Sequence, residues 1–129
     1  MHIINNANHQ NTYWAYSSFI MEIIIKYANK TEGNKMNQTI NIGIIGDFDK
    51  KKTSHLATIN AVEHAASYLS IKAKITWLPT PSFLERQSLE NLEQYDAIWA
   101  SSGSPYRSMG GALQGIRRAR EMGRPFIGT

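Results

Sequence analysis

"YDAIWASSGSPYRSMGGALQGIRRAREMGRPFIGT" (residues 95–129) reads as a strand, a loop of small residues, a helix and a second strand. The β-branched and aromatic run of "YDAIWASSG" (Tyr95 to Gly103) ends in small residues. "GALQGIRRAREMG" (Gly111 to Gly123) is a helix closed by a glycine, and "RPFIG" is again a short apolar run. A strand, a crossover helix and a strand in that order make one βαβ unit, whose two strands must lie parallel.

Working outward toward the N-terminus, the same alternation recurs. "TINIGII" (Thr39 to Ile45) is a strand closed by Gly46 and Asp47. "TSHLATINAVEHAASYL" (Thr53 to Leu69) puts Leu56, Ile59, Val62, Ala66 and Leu69 on one helical stripe, with Thr53 or Ser54 available as N-cap. "AKITWLP" (Ala73 to Pro79) is a strand that stops at a proline, and "PSFLERQSLENLEQ" gives a loop and a short helix. The expectation is an α/β, doubly wound, mostly parallel sheet. Residues 1–35 differ in character, being rich in Asn, Tyr and Ile, and "NKTEGNK" reads as a linker. Residues 1–35 are therefore expected to be an appendage to a domain over 36–129, and one reading has translation begin at Met36. Within the appendage, "TYWAYSSFIMEIIIKYA" suits a helix or a strand equally.

Composition narrows the function classes. No run approaches the roughly 18 consecutive apolar residues of a membrane-spanning helix, and the most apolar stretch, "FIMEIII", holds Glu22 in its middle. The start lacks the basic, apolar and small-residue segments of a signal peptide, so a cytoplasmic location without a membrane partner is expected. The formal charge of +4 is dispersed: "DKKK" (Asp49 to Lys52) reads as a solvated loop, and Arg117, Arg118, Arg120 and Arg124 as a solvated helix face, open to an active-site or interdomain role. Dispersed charge does not favour a nucleic-acid partner. The absence of cysteine excludes disulfides and thiolate metal sites in these residues. His55 and His64 are nine apart, which is not a chelating spacing, so they read as surface or packing histidines; no metal and no cofactor are expected.

In an open parallel sheet the ligand lies beyond the carboxyl ends of the strands, so three loops matter. "GIIGDFDKKK" (Gly43 to Lys52) has glycines spaced G-x-x-G and misses the dinucleotide fingerprint. "SSGSPYRSMGG" (Ser101 to Gly111) follows a strand and precedes a helix. Its small residues allow backbone N–H groups to face an anion or a developing oxyanion, as would an ordinary Gly/Ser/Pro turn. The third is "RPFIGT", where a strand running into "GT" has the form of the first half of a nucleophile elbow.

Taken together, "DAIWASSGSPYRSMGGALQGIRRAREMGRPFIGT", with "SPYRSM" and "RPFIGT" its most specific pieces and "GDF" and "TSH" in support, resembles the first half of a class I glutamine amidotransferase domain. The resemblance covers about residues 38–129 and is closest to the CTP synthase C-terminal-region-related proteins. It implies a flavodoxin-like fold and glutamine as the small-molecule substrate of a complete domain. A cysteine would attack the carboxamide, a histidine would relay protons and a glutamate would orient that histidine. Backbone N–H groups around Ser102, Gly103 and Ser104 would stabilise the oxyanion; Ser102 departs from the proline and two glycines of CTP synthases, while Gly103 keeps the pattern. The resemblance also implies that the nucleophile follows directly after Thr129. Some relatives carry selenocysteine there, so a truncated reading of a selenoprotein is the corresponding expectation, and this chain itself is expected to be inactive. A separate synthetase partner would be needed for CTP formation. The alternatives are a noncatalytic flavodoxin-like binding or interaction module, using the loop around Gly103 for a small anion, and a degraded gene fragment.

Overall fold

The computed structural model describes residues 18–26, 39–102 and 105–128. Four strands make one sheet, β1 (Thr39–Ile45), β2 (Lys72–Leu78), β3 (Ala97–Ala100) and β4 (Phe126–Gly128), in the spatial order β2-β1-β3-β4. Every pairing is parallel. The helices are α1 (residues 18–26), α2 (Thr53–Tyr68), α3 (Arg86–Glu90) and α4 (Met109–Glu121), with 3₁₀ turns at Thr80–Leu84 and Asn91–Gln94.

Alternation along the strands sorts side chains into two cores, as the pleat requires. Ile40, Ile42 and Ile44 of β1, with Ala97 and Trp99 of β3, meet Ala61, Val62 and Ala65 of α2 and Ile20, Ile23 and Ile24 of α1. On the other face Ile45, Ile98 and Ala100 meet Phe83, Leu92, Tyr95 and Ala119, with Ile116 and Phe126 packed alongside. Helices on both faces of a parallel sheet make the fold doubly wound, as expected. The helical reading of "TYWAYSSFIMEIIIKYA" holds over residues 18–26, where Ile20 and Ile24 are fully buried.

Two local expectations are corrected. The inward face of α2 is His55, Thr58, Ala61, Val62, Ala65 and Ala66; Val62 and Ala66 of the expected stripe lie on it and Leu69 packs against the core, whereas Leu56 is exposed. Ala61 and Ala65, both fully buried, pack with Val62 against Ile40, Ile42 and Ile44 of β1, so small side chains make up much of the buried face. Lys52 occupies the N-cap position with no side-chain cap, so neither Thr53 nor Ser54 serves. By contrast α4 is capped by Ser108, whose Oγ accepts the Gly111 N–H at 3.0 Å, and Gly123 follows its end at φ +70°.

The register positions the site. Ile45 pairs with both Leu78 and Ala100, and Ala100 pairs with Gly128, so all four strands end in one row. Hydrogen bonds from Gly46 N–H to the Leu78 carbonyl and from Ser101 N–H to the Ile45 carbonyl, each 3.0 Å, carry the ladder one step further. Among the described residues no helix is long and apolar enough to cross a membrane.

Candidate functional site

The loops after β1, β2 and β3 leave the sheet level with one another, and Asp47 ties them together. Its Oδ1 accepts the Thr80 N–H at 2.9 Å, and its Oδ2 accepts the Thr80 hydroxyl at 2.8 Å and the Arg107 N–H at 2.9 Å. Thr80 Oγ1 in turn accepts the Ser108 N–H at 2.9 Å, which carries the network to the start of α4. Burial pushes the Asp47 pKa up, but the hydrogen bonds from Arg107 and Thr80 and the Arg107 charge outweigh it, and the net direction is down. The carboxylate is therefore ionised at neutral pH. The Tyr106 hydroxyl donates to the Ser101 carbonyl at 2.7 Å, and burial, assisted by the Asp47 charge, raises its pKa so that it keeps its proton.

Beneath the same loops lies an aromatic cluster of Phe48, His55 and Trp77. The His55 ring stands 4.8 Å from Trp77 and 6.0 Å from Phe48 between centroids, and Phe48 stands 5.1 Å from Trp77. His55 Nδ1 accepts the Asp49 N–H at 3.0 Å. Its Nε2 faces the influence of the Ser102 carbonyl, but no hydrogen bond of standard geometry closes there. Trp77 Nε1 and Ser101 Oγ are also buried without a hydrogen-bond partner among the described residues. Ser101 Oγ fills the space where a Cβ on residue 46 would stand, so only glycine lets β1 and β3 come this close at their ends.

A cleft of about 450 Å³ opens between the loops after β1 and β3, lined by Asp47, Phe48, Lys52, Trp77, Pro105 and Arg107 among others. Here the strand order reverses, which is where open α/β sheets place their ligands. Of the oxyanion residues expected from the sequence, Ser102 is half-buried at the start of the loop after β3; Gly103 and Ser104 lie outside the described residues, as does Thr129. His55 is a packing histidine, and His64 lies on the exposed side of the same helix. Among the described residues no three His, Asp or Glu side chains gather as a metal site. The central role of Asp47 escaped the sequence reading. Its signal was positional: Asp47, Thr80 and Ser102 each stand two residues past a strand end.

The chain is 33% identical to the CTP synthase of Thermococcus kodakarensis over 107 residues, and 29% identical to that of Saccharolobus solfataricus over 106 residues. The matches take in 83% and 81% of this chain. This is a CTP synthase-related domain. The CTP synthase of Helicobacter pylori is 34% identical over 89 residues, 69% of this chain and 16% of that protein. The domain spans about a fifth of the length of the curated relatives it matches, 19% and 20% for the first two. No family model matches. A solved LacI-family transcription regulation repressor from Corynebacterium glutamicum aligns over 88% of this chain and 42% of its own, with a TM-score of 0.44 and 18% identity, too loosely to support any conclusion.

Proposed function

We propose that the chain is part of a class I glutamine amidotransferase domain, in which the loop after β3 lends backbone N–H groups to an oxyanion and the turn after β4 presents a nucleophile. The nucleophile would add to the glutamine carboxamide carbon, the tetrahedral intermediate would expel ammonia, and water would release glutamate from the acyl intermediate. One oxyanion donor of this kind is typically worth about 3 kcal/mol of barrier. Besides the kinship with CTP synthases, one observation supports the reading: the Ala100–Gly128 register sets the loop after β3 level with whatever follows β4. Asp47 and Thr80 would then hold that loop in place, since they bind the backbone of Arg107 and Ser108. The ammonia would pass to an acceptor on a synthetase partner, by analogy with the relatives.

These residues hold no cysteine, so the 129-residue chain should release no glutamate from glutamine. A chain continued through the remainder of a CTP synthase-like domain should do so. Glutamate release by both chains, measured side by side, tests this; an inert but folded longer chain would sink the proposal.

A second reading is a noncatalytic module for a small anion, held at the cleft by Lys52 and Arg107 against the neighbouring Asp47 and Asp49. Thermal stabilisation of the 129-residue chain by small anions, with no hydrolysis by the longer chain, would select it.

A further inference from the structure

His55 is held in a way that depends on its protonation state. The ring is 1% exposed, and it is packed against Trp77 of β2 and Phe48 of the loop after β1. Its Nδ1 accepts the Asp49 N–H, and a nitrogen that accepts a hydrogen bond carries no proton. The ring that holds the loop is therefore neutral imidazole with its proton on Nε2. Adding a second proton would set two N–H groups head to head, and turning the ring over would not help, because both nitrogens of imidazolium donate. Relief requires the loop to move.

That loop is the one that carries Asp47. We propose that His55 is a proton-operated latch on residues 46–52, closed over the carboxyl ends of the strands when the imidazole is neutral and released when it becomes imidazolium. Release would loosen the Asp47 bonds to Thr80 and Arg107, and with them the edge of the cleft between the loops after β1 and β3. The proposal stands on the loop geometry alone and holds whatever the cleft binds.

The surroundings set the direction of the titration. Burial opposes the proton most, and the Lys52 charge at the start of α2 opposes it too. The Ser102 carbonyl from the loop after β3, and Asp49 and Asp47 from the loop after β1, favour it; Trp77 of β2 contributes no charge. The balance lies below the ordinary histidine value of 6.5. A lowered value in the closed state means that the open state takes up the proton first. The latch is therefore fully held above about pH 6.5 and is lost as the pH falls through the lower, closed-state value.

Amide hydrogen exchange at Asp49, corrected for intrinsic rate, tests the idea on the intact chain, together with an NMR titration of the His55 ring protons. Protection at Asp49 should fall at least tenfold between pH 7.5 and pH 5, with a midpoint equal to that of the His55 ring. His55→Phe keeps an aromatic ring and should leave Asp49 unprotected at both pH values, while His64→Gln should leave the midpoint unchanged. Equal protection at the two pH values, or a midpoint that does not follow His55, would overturn the latch. Because the titration of the unsubstituted chain decides the question, a His55→Phe chain that fails to fold does not weaken the test.

Discussion

Replacing Asp47 with alanine removes the acceptor of three hydrogen bonds at once. Their worth differs with what water can replace. Arg107 is exposed, so its N–H regains a water partner, whereas Thr80 is fully buried and its N–H and hydroxyl are left unsatisfied. With hydrogen bonds to charged groups worth about 1.5–3 kcal/mol and only the Thr80 pair counted, partly offset by water reaching the gap, Asp47→Ala should cost about 2–4 kcal/mol. Asp47→Asn keeps an acceptor for the Thr80 N–H but turns an amide N–H toward the Thr80 hydroxyl and the Arg107 N–H, so about half that cost is expected. Urea unfolding followed by tryptophan emission reads the difference; at a slope near 1.5 kcal/mol per molar, the alanine midpoint should drop by roughly 1.3–2.7 M. The pH dependence adds a second reading of the same bonds. Because the Asp47 pKa is lowered in the folded chain, its contribution is complete above the ordinary value of 3.8 and fades as pH falls through the folded one. The gap between the native chain and Asp47→Asn should narrow over that window. An alanine variant within 0.5 kcal/mol of the native chain, or an asparagine variant as costly as alanine, would refute the role assigned to Asp47.

Gly111→Ala should destabilise the domain by about 2 kcal/mol or more, because the new Cβ would run into the Thr80 backbone carbonyl. The neighbouring Gly110→Ala, whose nearest contact would be Leu84 at 4.0 Å, should be neutral or stabilising by up to about 1 kcal/mol in thermal melts. Ile24→Ala should cost about 2–5 kcal/mol, and a chain starting at Met36 should lose cooperative melting, since Ile20, Ile23 and Ile24 belong to the core beside β1. Ser101→Ala removes a buried hydroxyl that has no partner among the described residues, and should leave stability unchanged or raise it by about 1 kcal/mol in the same melts.

The strands were readable because β-branched runs such as Thr39–Ile45 are bounded by glycine, proline or serine, and four such runs separated by helical segments admit few arrangements. The face of α2 was readable only in part: Val62, Ala66 and Leu69 fall as the pattern suggests, but the rest of the buried side is made by alanines, a threonine and a histidine rather than by Leu56. "TYWAYSSFIMEIIIKYA" remained ambiguous for a related reason: a helix with Ile20, Ile23 and Ile24 inward lies within a run that is apolar nearly throughout. At the site, the loop after β3 was legible from its small residues and its place after a strand. The network through Asp47 was not, because Asp47, Thr80 and Arg107 are separated by 33 and 27 positions in the chain (80 − 47 and 107 − 80), and only the shared row of strand ends makes them neighbours.

That alignment makes the domain unequally tolerant of changes in length. A residue inserted into a loop can bulge into solvent, but a residue deleted from β1 draws its end back by one strand step, about 3.3 Å, and turns the side chains beyond the deletion toward the opposite layer. Isoleucines would trade places with Gly43 against Tyr95, and the carboxylate would fall short of both its partners. Viable relatives should therefore differ in the reach of their loops while keeping the four strands in step.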